Sequence, residues 1–179
     1  MQMQGERTIK ASRAEVWLAL NAPEVLKACI PGCDELEKTS DTSFEATVTQ
    51  KVGPVKVRFK GTVQLSDIVE AESYTITGEG KGGAAGFAKG GAKVRLEDTG
   101  DGTLLVYEAE AKVGGKLAQL GSRLIDGFAK KMADDFFTRF QEAVEGDAEE
   151  SPGDSSEEPE AEAEAPEEKK KSWFKRLFG

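Results

Sequence analysis

Along most of the chain the apolar positions fall on every second residue. Phe44, Ala46 and Val48 alternate with Glu45, Thr47 and Thr49, and Val57, Phe59, Val63 and Leu65 alternate with Lys56, Arg58, Lys60, Thr62 and Gln64. The pattern continues through Tyr74 and Ile76, through Val94 and Leu96, and through Leu105, Tyr107, Ala109, Ala111 and Val113. A period of two predicts antiparallel strands with one wet face, and Gly61, which interrupts one series, predicts a bend or bulge there. A first strand over about Met3 to Lys10 and a short one over Glu35 to Lys38 bring the expected total to about seven. Ser12-Arg-Ala-Glu15 reads as a capping box that opens a short helix through Leu20, with Trp17 and Leu20 facing inward. Pro23 permits a second short helix, with Val25, Leu26 and Ala28, that stops before Pro31-Gly32.

The period changes after Gly114-Gly115. Leu117, Leu120, Leu124, Phe128, Met132, Phe136 and Phe140 recur at intervals of three and four, widened by Ile125 and Phe137, which predicts one long helix from near Lys116. The expected architecture is α+β: about seven antiparallel strands curved around a long C-terminal helix, with two short helices after the first strand. Ala109 and Ala111 on the last strand, and Gly121, Gly127, Ala129 and Ala133 on the helix, are small residues on facing surfaces. They serve either a close approach of helix to sheet or an internal apolar cavity.

Charge divides the chain. Its net charge is −9, yet residues 145–168 hold 12 acidic residues and no basic one, while residues 169–179 hold five basic residues and no acid. Residues 1–144 are therefore almost neutral and are expected to form one domain without a basic stripe for nucleic acid. Residues 145–168 lack the apolar side chains for a core and are expected to be a disordered linker. No apolar run is long enough to cross a membrane and the N-terminus lacks a secretory pattern, so the expected location is the cytoplasm.

Several kinds of chemistry find little support. Gly78, Gly80 and Gly83 form a literal G-x-G-x-x-G, but Lys93-Val-Arg-Leu-Glu97 follows as a strand, so no helix N-terminus is available to hold a pyrophosphate. Glycines between two strands predict a hairpin instead. Cys29 and Cys33 flank Ile-Pro-Gly in a chain with no histidine, which favours reduced, buried or half-buried thiols over a metal site or a redox pair. No Ser/Lys or Cys/His pair suggests a nucleophile, and Asp126, Asp134 and Asp135 fall mainly on the wet side of the long helix. The expectation is a non-catalytic protein without metal or cofactor; a cyclase- or hydratase-type enzyme is the alternative, which a strongly perturbed Tyr74 or Tyr107 would favour.

Leu26-Lys-Ala-Cys-Ile-Pro-Gly32, Gly53-Pro-Val-Lys56, the glycine stretch from Gly78 to Gly90 and Gly114-Gly-Lys-Leu-Ala-Gln-Leu-Gly-Ser-Arg-Leu-Ile125 closely resemble the family of the G subunit of carbon monoxide dehydrogenase. The resemblance covers about residues 1–144. It implies the helix-grip, START-like superfamily, whose members hold apolar molecules between sheet and helix. It also implies a non-catalytic accessory that brings a molybdenum-containing carbon monoxide dehydrogenase, or a relative, to the cytoplasmic membrane and a quinone. A recruitment scaffold without any ligand is the other binding-class reading.

Under the carrier reading, Leu117, Leu120, Leu124, Phe128 and Met132 are the expected cavity wall on the helix, and Trp17, Phe59, Tyr74 and Phe87 the wall opposite. Gly82, Gly83 and Gly86, with Ala85, would let a flat ring or isoprenoid tail approach the hairpin backbone. Lys169, Lys170, Lys171, Lys175 and Arg176, with Trp173, Phe174, Leu177 and Phe178, read as a short amphipathic anchor for an anionic membrane surface, reached through the acidic linker. Such an anchor binds reversibly, at the inner face of the cytoplasmic membrane.

Overall fold

A computed structural model of the chain describes residues 1–157, with side chains through residue 146. Seven strands form one antiparallel sheet: β1 (Gln2–Ile9), β2 (Cys33–Ser40), β3 (Ser43–Val52), β4 (Val55–Val69), β5 (Ser73–Lys81), β6 (Phe87–Asp98) and β7 (Thr103–Gly114). Their order, β1-β7-β6-β5-β4-β3-β2, is a meander whose first strand closes against the last. Alternation decides which face each residue takes. Odd positions of β4 and even positions of β6 point to the concave side, where Val57, Leu65, Val94 and Leu96 are buried. Gly61 causes no bulge: it pairs in unbroken register with Ala46 and Gly80, and the Glu79 carbonyl lies so close that a Cβ would collide with it.

The short helices α1 (Arg13–Leu20) and α2 (Pro23–Cys29) follow β1 as the caps predict. Ser12 Oγ accepts from the Glu15 N–H at 3.2 Å while the Ser12 N–H donates to Glu15 Oε1 at 3.1 Å, closing the capping box. Val16, Ala19, Leu20 and Val25 are buried, whereas Ala28, expected inward, is exposed because Cys29 takes the inward position at the end of its helix.

The long helix begins later than its apolar spacing suggests. Residues Gly115–Leu120 form a 3-10 turn, Gly121 has a left-handed φ of +95°, and only then does α3 (Ser122–Glu157) start. Gly121 can take that conformation without a Cβ penalty and so separates two helical pieces whose leucines keep a common spacing. Leu117 and Leu120 therefore belong to the turn, not to α3. The helix also continues past 144, into the acidic segment expected to lack structure. Val144 is the last buried residue among the described side chains, which end at residue 146, while the helical backbone runs on to Glu157. Residues 158–168 and the anchor residues 169–179 lie outside the described residues.

The two thiols are unbridged, Cys29 buried and Cys33 half-buried. Burial pushes the Cys29 thiol up to about 11, opposed weakly by Arg139, and raises Cys33 as well. At pH 8 a thiol reagent is expected to modify Cys33 and to spare Cys29 until the protein unfolds, as peptide mapping of the alkylated chain would show. The folded state holds the Cys29 proton above the pH at which the unfolded chain releases it. Stability is therefore expected to fall between pH 9.0 and about 11, and the fall to be reduced in Cys29→Ala.

Candidate functional site

Two separate apolar clusters hold the molecule together. The larger gathers Ile9, Val16, Val25, Phe44, Leu65, Tyr74, Leu96, Leu105, Phe140 and Val144 beneath α1 and α2. The smaller, at the opposite end, gathers Val52, Val57, Ala85 and Leu117 from the β3–β4 turn, the β5–β6 turn and the 3-10 turn before α3. Between them the concave face changes character. Ala46, Gly61, Gly80 and Ala88 stand side by side across β3 to β6, and Gly78, Gly90 and Ala111 form the next row across β5 to β7. Ala92 and Ala109 extend the floor toward β1. All nine residues are half-buried, and none belongs to either cluster.

α3 spans this floor without settling on it. Its backbone comes closest to α2 and, within the sheet, to β1 on one side and β3 on the other. At about 100° per residue, Ala129, Ala133 and Phe140 fall within an arc of about 40° that faces the sheet. Phe140 is fully buried, yet Ala129 and Ala133 remain half-exposed, as does Met132 beside them. Small side chains at the centre of a helix's inward stripe lose nearly all their exposure when the helix packs tightly on a sheet. Small residues of the helix stand over the small residues of the floor, both sets stay half-exposed, and the space bounded by the two is the candidate ligand site.

The stretch of α3 from Asp134 to Glu145 is fastened to the β1 edge of this space. Arg7 pairs with Asp134 at 3.3 Å and lies 5.7 Å over the Phe137 ring, which stacks on Tyr107 at 5.0 Å. Gln141 donates to the Thr8 carbonyl at 2.9 Å, and the Lys10 N–H donates to Glu145 Oε2 at 2.8 Å. Burial raises the pKa of Tyr107, with Asp134 adding to the rise and Arg7 opposing it; burial alone raises Tyr74. Both shifts keep the phenols protonated, the opposite of what a phenolate base needs. Among the described residues no group of three or more His, Cys, Asp or Glu side chains is placed to hold a metal.

The expected site residues separate into three groups. Trp17, half-buried, packs against the larger cluster and meets its member Tyr74 edge-on at 5.1 Å; Leu117 and Ala85 belong to the smaller one. These four are core, because each satisfies the apolar period by meeting protein. Phe59, Leu120 and Phe128 pack against the smaller cluster while staying half-buried, and with Met132 they are the expected residues nearest the space. Leu124 is 39% exposed beside Gly53, outside the wall.

The glycine hairpin is also corrected. Gly78, Gly80, Gly90 and Gly91 are strand residues, and only Gly82 to Gly86 turn. Gly83 is open to solvent with nothing near it, so it forms no wall; Gly86, at φ +119°, packs against the backbone of Gly114 and Gly115. Phe87 takes an odd position of β6, on the convex face with Lys89 and Lys93, and is 40% exposed. Apart from Ala109 and Ala111, the floor is faint in the sequence because glycine and alanine add little amplitude to an apolar pattern. Its signal is the alternation of Gly78 and Gly80 with Glu79 and Lys81, resumed after the turn by Ala88 and Gly90 around Lys89.

A concave sheet, a bridging helix and a small-residue floor make a general architecture, and the sequence match is what particularises it. The family model of the carbon monoxide dehydrogenase G subunit (CoxG) matches residues 5–145. The chain belongs to the CoxG family. Membership supports an accessory role associated with a carbon monoxide dehydrogenase. A conserved protein from Geobacillus kaustophilus shares 31% identity, covering 82% of this chain and 96% of its own, with a TM-score of 0.76. A Rhizobium leguminosarum protein at 20% identity covers 79% of this chain and 91% of its own with a TM-score of 0.59. One from Thermus thermophilus at 16% covers 82% and 98% with a TM-score of 0.63. These last two show the shared fold alone. A search of curated proteins gave no match. Among the described residues no helix is long and apolar enough to cross a membrane.

Proposed function

We propose that this CoxG-family protein is a non-catalytic carrier that holds an apolar ligand, a respiratory quinone, between α3 and the sheet. In this role it links a molybdenum carbon monoxide dehydrogenase to the inner face of the cytoplasmic membrane. The observation that carries the reading is the half-exposed floor of Ala46, Gly61, Gly78, Gly80, Ala88, Gly90 and Ala111 beneath an α3 that bridges it. A flat ring lies against such a floor without meeting side chains, and an isoprenoid tail gains from every methylene it removes from water, about 0.8 kcal/mol for each. Met132 and Phe128 supply an adaptable thioether and an aromatic face above it.

The membrane link rests on the aromatic and basic residues of 169–179, which suit shallow insertion beside anionic headgroups. An accessory that must return to a soluble dehydrogenase needs this weak kind of attachment. The test is native mass spectrometry with lipid extraction on full-length protein purified from membrane-containing cells. A quinone retained in a stoichiometric complex, and taken up by protein stripped of lipid, is the expected result. Protein that stays empty with added quinone, while still binding both vesicles and the dehydrogenase, would leave a recruitment scaffold.

A further inference from the structure

Residues 1–144 are almost neutral in sum, but the fold separates their charges. An antiparallel meander places the β3–β4 turn, the β5–β6 turn and the end of β7 at one pole, and the β2–β3, β4–β5 and β6–β7 turns at the other. Residues 51–58, 81–89 and 112–123, at the first pole, contain eight basic residues and no acid, and all eight are exposed. Residues 37–45, 67–72 and 97–101, at the other, contain nine acids and one lysine. Acids also lie close to the basic pole: Glu79 in register with Lys89, Asp34 at 3.9 Å from Arg58, Glu110 two residues before Lys112, and exposed Asp126. Among the described residues the other seven cations have no ion-pair partner.

The same pole exposes apolar surface. Leu124 is 39% and Phe87 40% exposed, and a groove of about 530 Å³ opens between Val55, Ala84 and Leu120, flanked by Lys56 and Lys116. Exposed leucine and phenylalanine at the same pole as seven cations without an ion-pair partner match the chemistry of an anionic lipid interface, where apolar groups enter the headgroup boundary and cations meet phosphate.

We propose that this basic pole is a membrane-docking surface of the folded domain, distinct from residues 169–179. It would set the N-terminal end of α3 and the glycine turn against an anionic leaflet, with the acidic pole turned to the aqueous side. The proposal deepens the membrane-linking reading and rests on it, adding orientation to attachment. Position favours lipid over the chain's own acidic segment, which begins at Glu145 beside Lys10, at the end of the fold where β1 meets the start of β7.

The experiment uses the full chain with vesicles of phosphatidylcholine and phosphatidylglycerol, and with vesicles of phosphatidylcholine alone. A pole variant carries Lys56→Glu, Lys116→Glu and Arg123→Glu; a tail variant carries Trp173→Ser, Phe174→Ser, Leu177→Ser and Phe178→Ser. A control reverses the other pole with Glu70→Lys, Glu72→Lys and Asp101→Lys. Each basic residue near anionic lipid contributes about fivefold in partitioning, so the pole variant is expected to bind anionic vesicles about a hundredfold more weakly at low salt. The control should bind no less tightly than the native chain. Hydrogen exchange should show vesicle protection at 82–86 and 116–124. Pole and tail variants that fail independently separate the two surfaces. A pole variant that binds vesicles like the native chain overturns the proposal while leaving the tail reading intact. If that variant instead loses the dehydrogenase, the pole is a protein contact; if it changes only the salt dependence of the chain's hydrodynamic radius, the occupant is the acidic segment.

Discussion

Filling the space between α3 and the sheet is expected to abolish ligand retention without unfolding the protein. The variant is Ala133→Phe with Ala109→Leu, one residue from the middle of the helical stripe and one from the floor. Both alanines are half-exposed and neither belongs to an apolar cluster. In a close-packed interior, added methylenes force strained rotamers and backbone shifts, at a typical cost of about 1–3 kcal/mol. Where space is already open, the same side chains bury apolar surface and offset their own ordering. Denaturant unfolding should therefore show a change under about 1 kcal/mol, with either sign, while bound quinone falls at least tenfold by mass spectrometry. Destabilisation by several kcal/mol would mean that helix and sheet are in contact and that no carrier space exists. Leu117→Ala is the matching control: its side chain is 1% exposed in the smaller cluster, and its loss should cost about 2–5 kcal/mol.

The sheet was legible because each of its strands from β3 to β7 keeps one apolar face, and because turn glycines and helix caps mark the ends. The beginning of α3 was not legible, since Leu117, Leu120 and Leu124 keep a helical spacing across Gly121, whose left-handed backbone breaks the helix. Bulk also misdirected the choice of wall. Trp17, Tyr74 and Leu117 satisfy the period equally well whether they meet ligand or protein, and only packing shows that they meet protein. The candidate site lies where the pattern is faint, on glycine and alanine, and the facing alanines of β7 and α3 were its readable half. The polarity of the domain was hidden for another reason. Residues 51–58, 81–89 and 112–123 are far apart in sequence, and only the meander gathers their charges at one end.

The way α3 is attached leads to the second large effect, in Phe140→Ala. Phe140 is fully buried in the larger cluster and stacks on Phe136 at 5.7 Å. Removing its ring should cost about 3–5 kcal/mol, a large share of the roughly 5–15 kcal/mol that holds a typical domain. The cost falls where the helix is secured, because Phe136, Phe140 and Val144, with the Gln141 and Glu145 hydrogen bonds to Thr8 and Lys10, tie residues 136–145 to the larger cluster. From Ala129 to Ala133 the helix contributes no residue to either apolar cluster. Amides of that segment should exchange with solvent well before those of 136–144, by local opening. Adding quinone should slow the first set selectively, since a ligand in the space supplies the contact that the floor does not. Equal protection of both halves in empty protein would place α3 firmly on the sheet and remove the route by which a ligand enters.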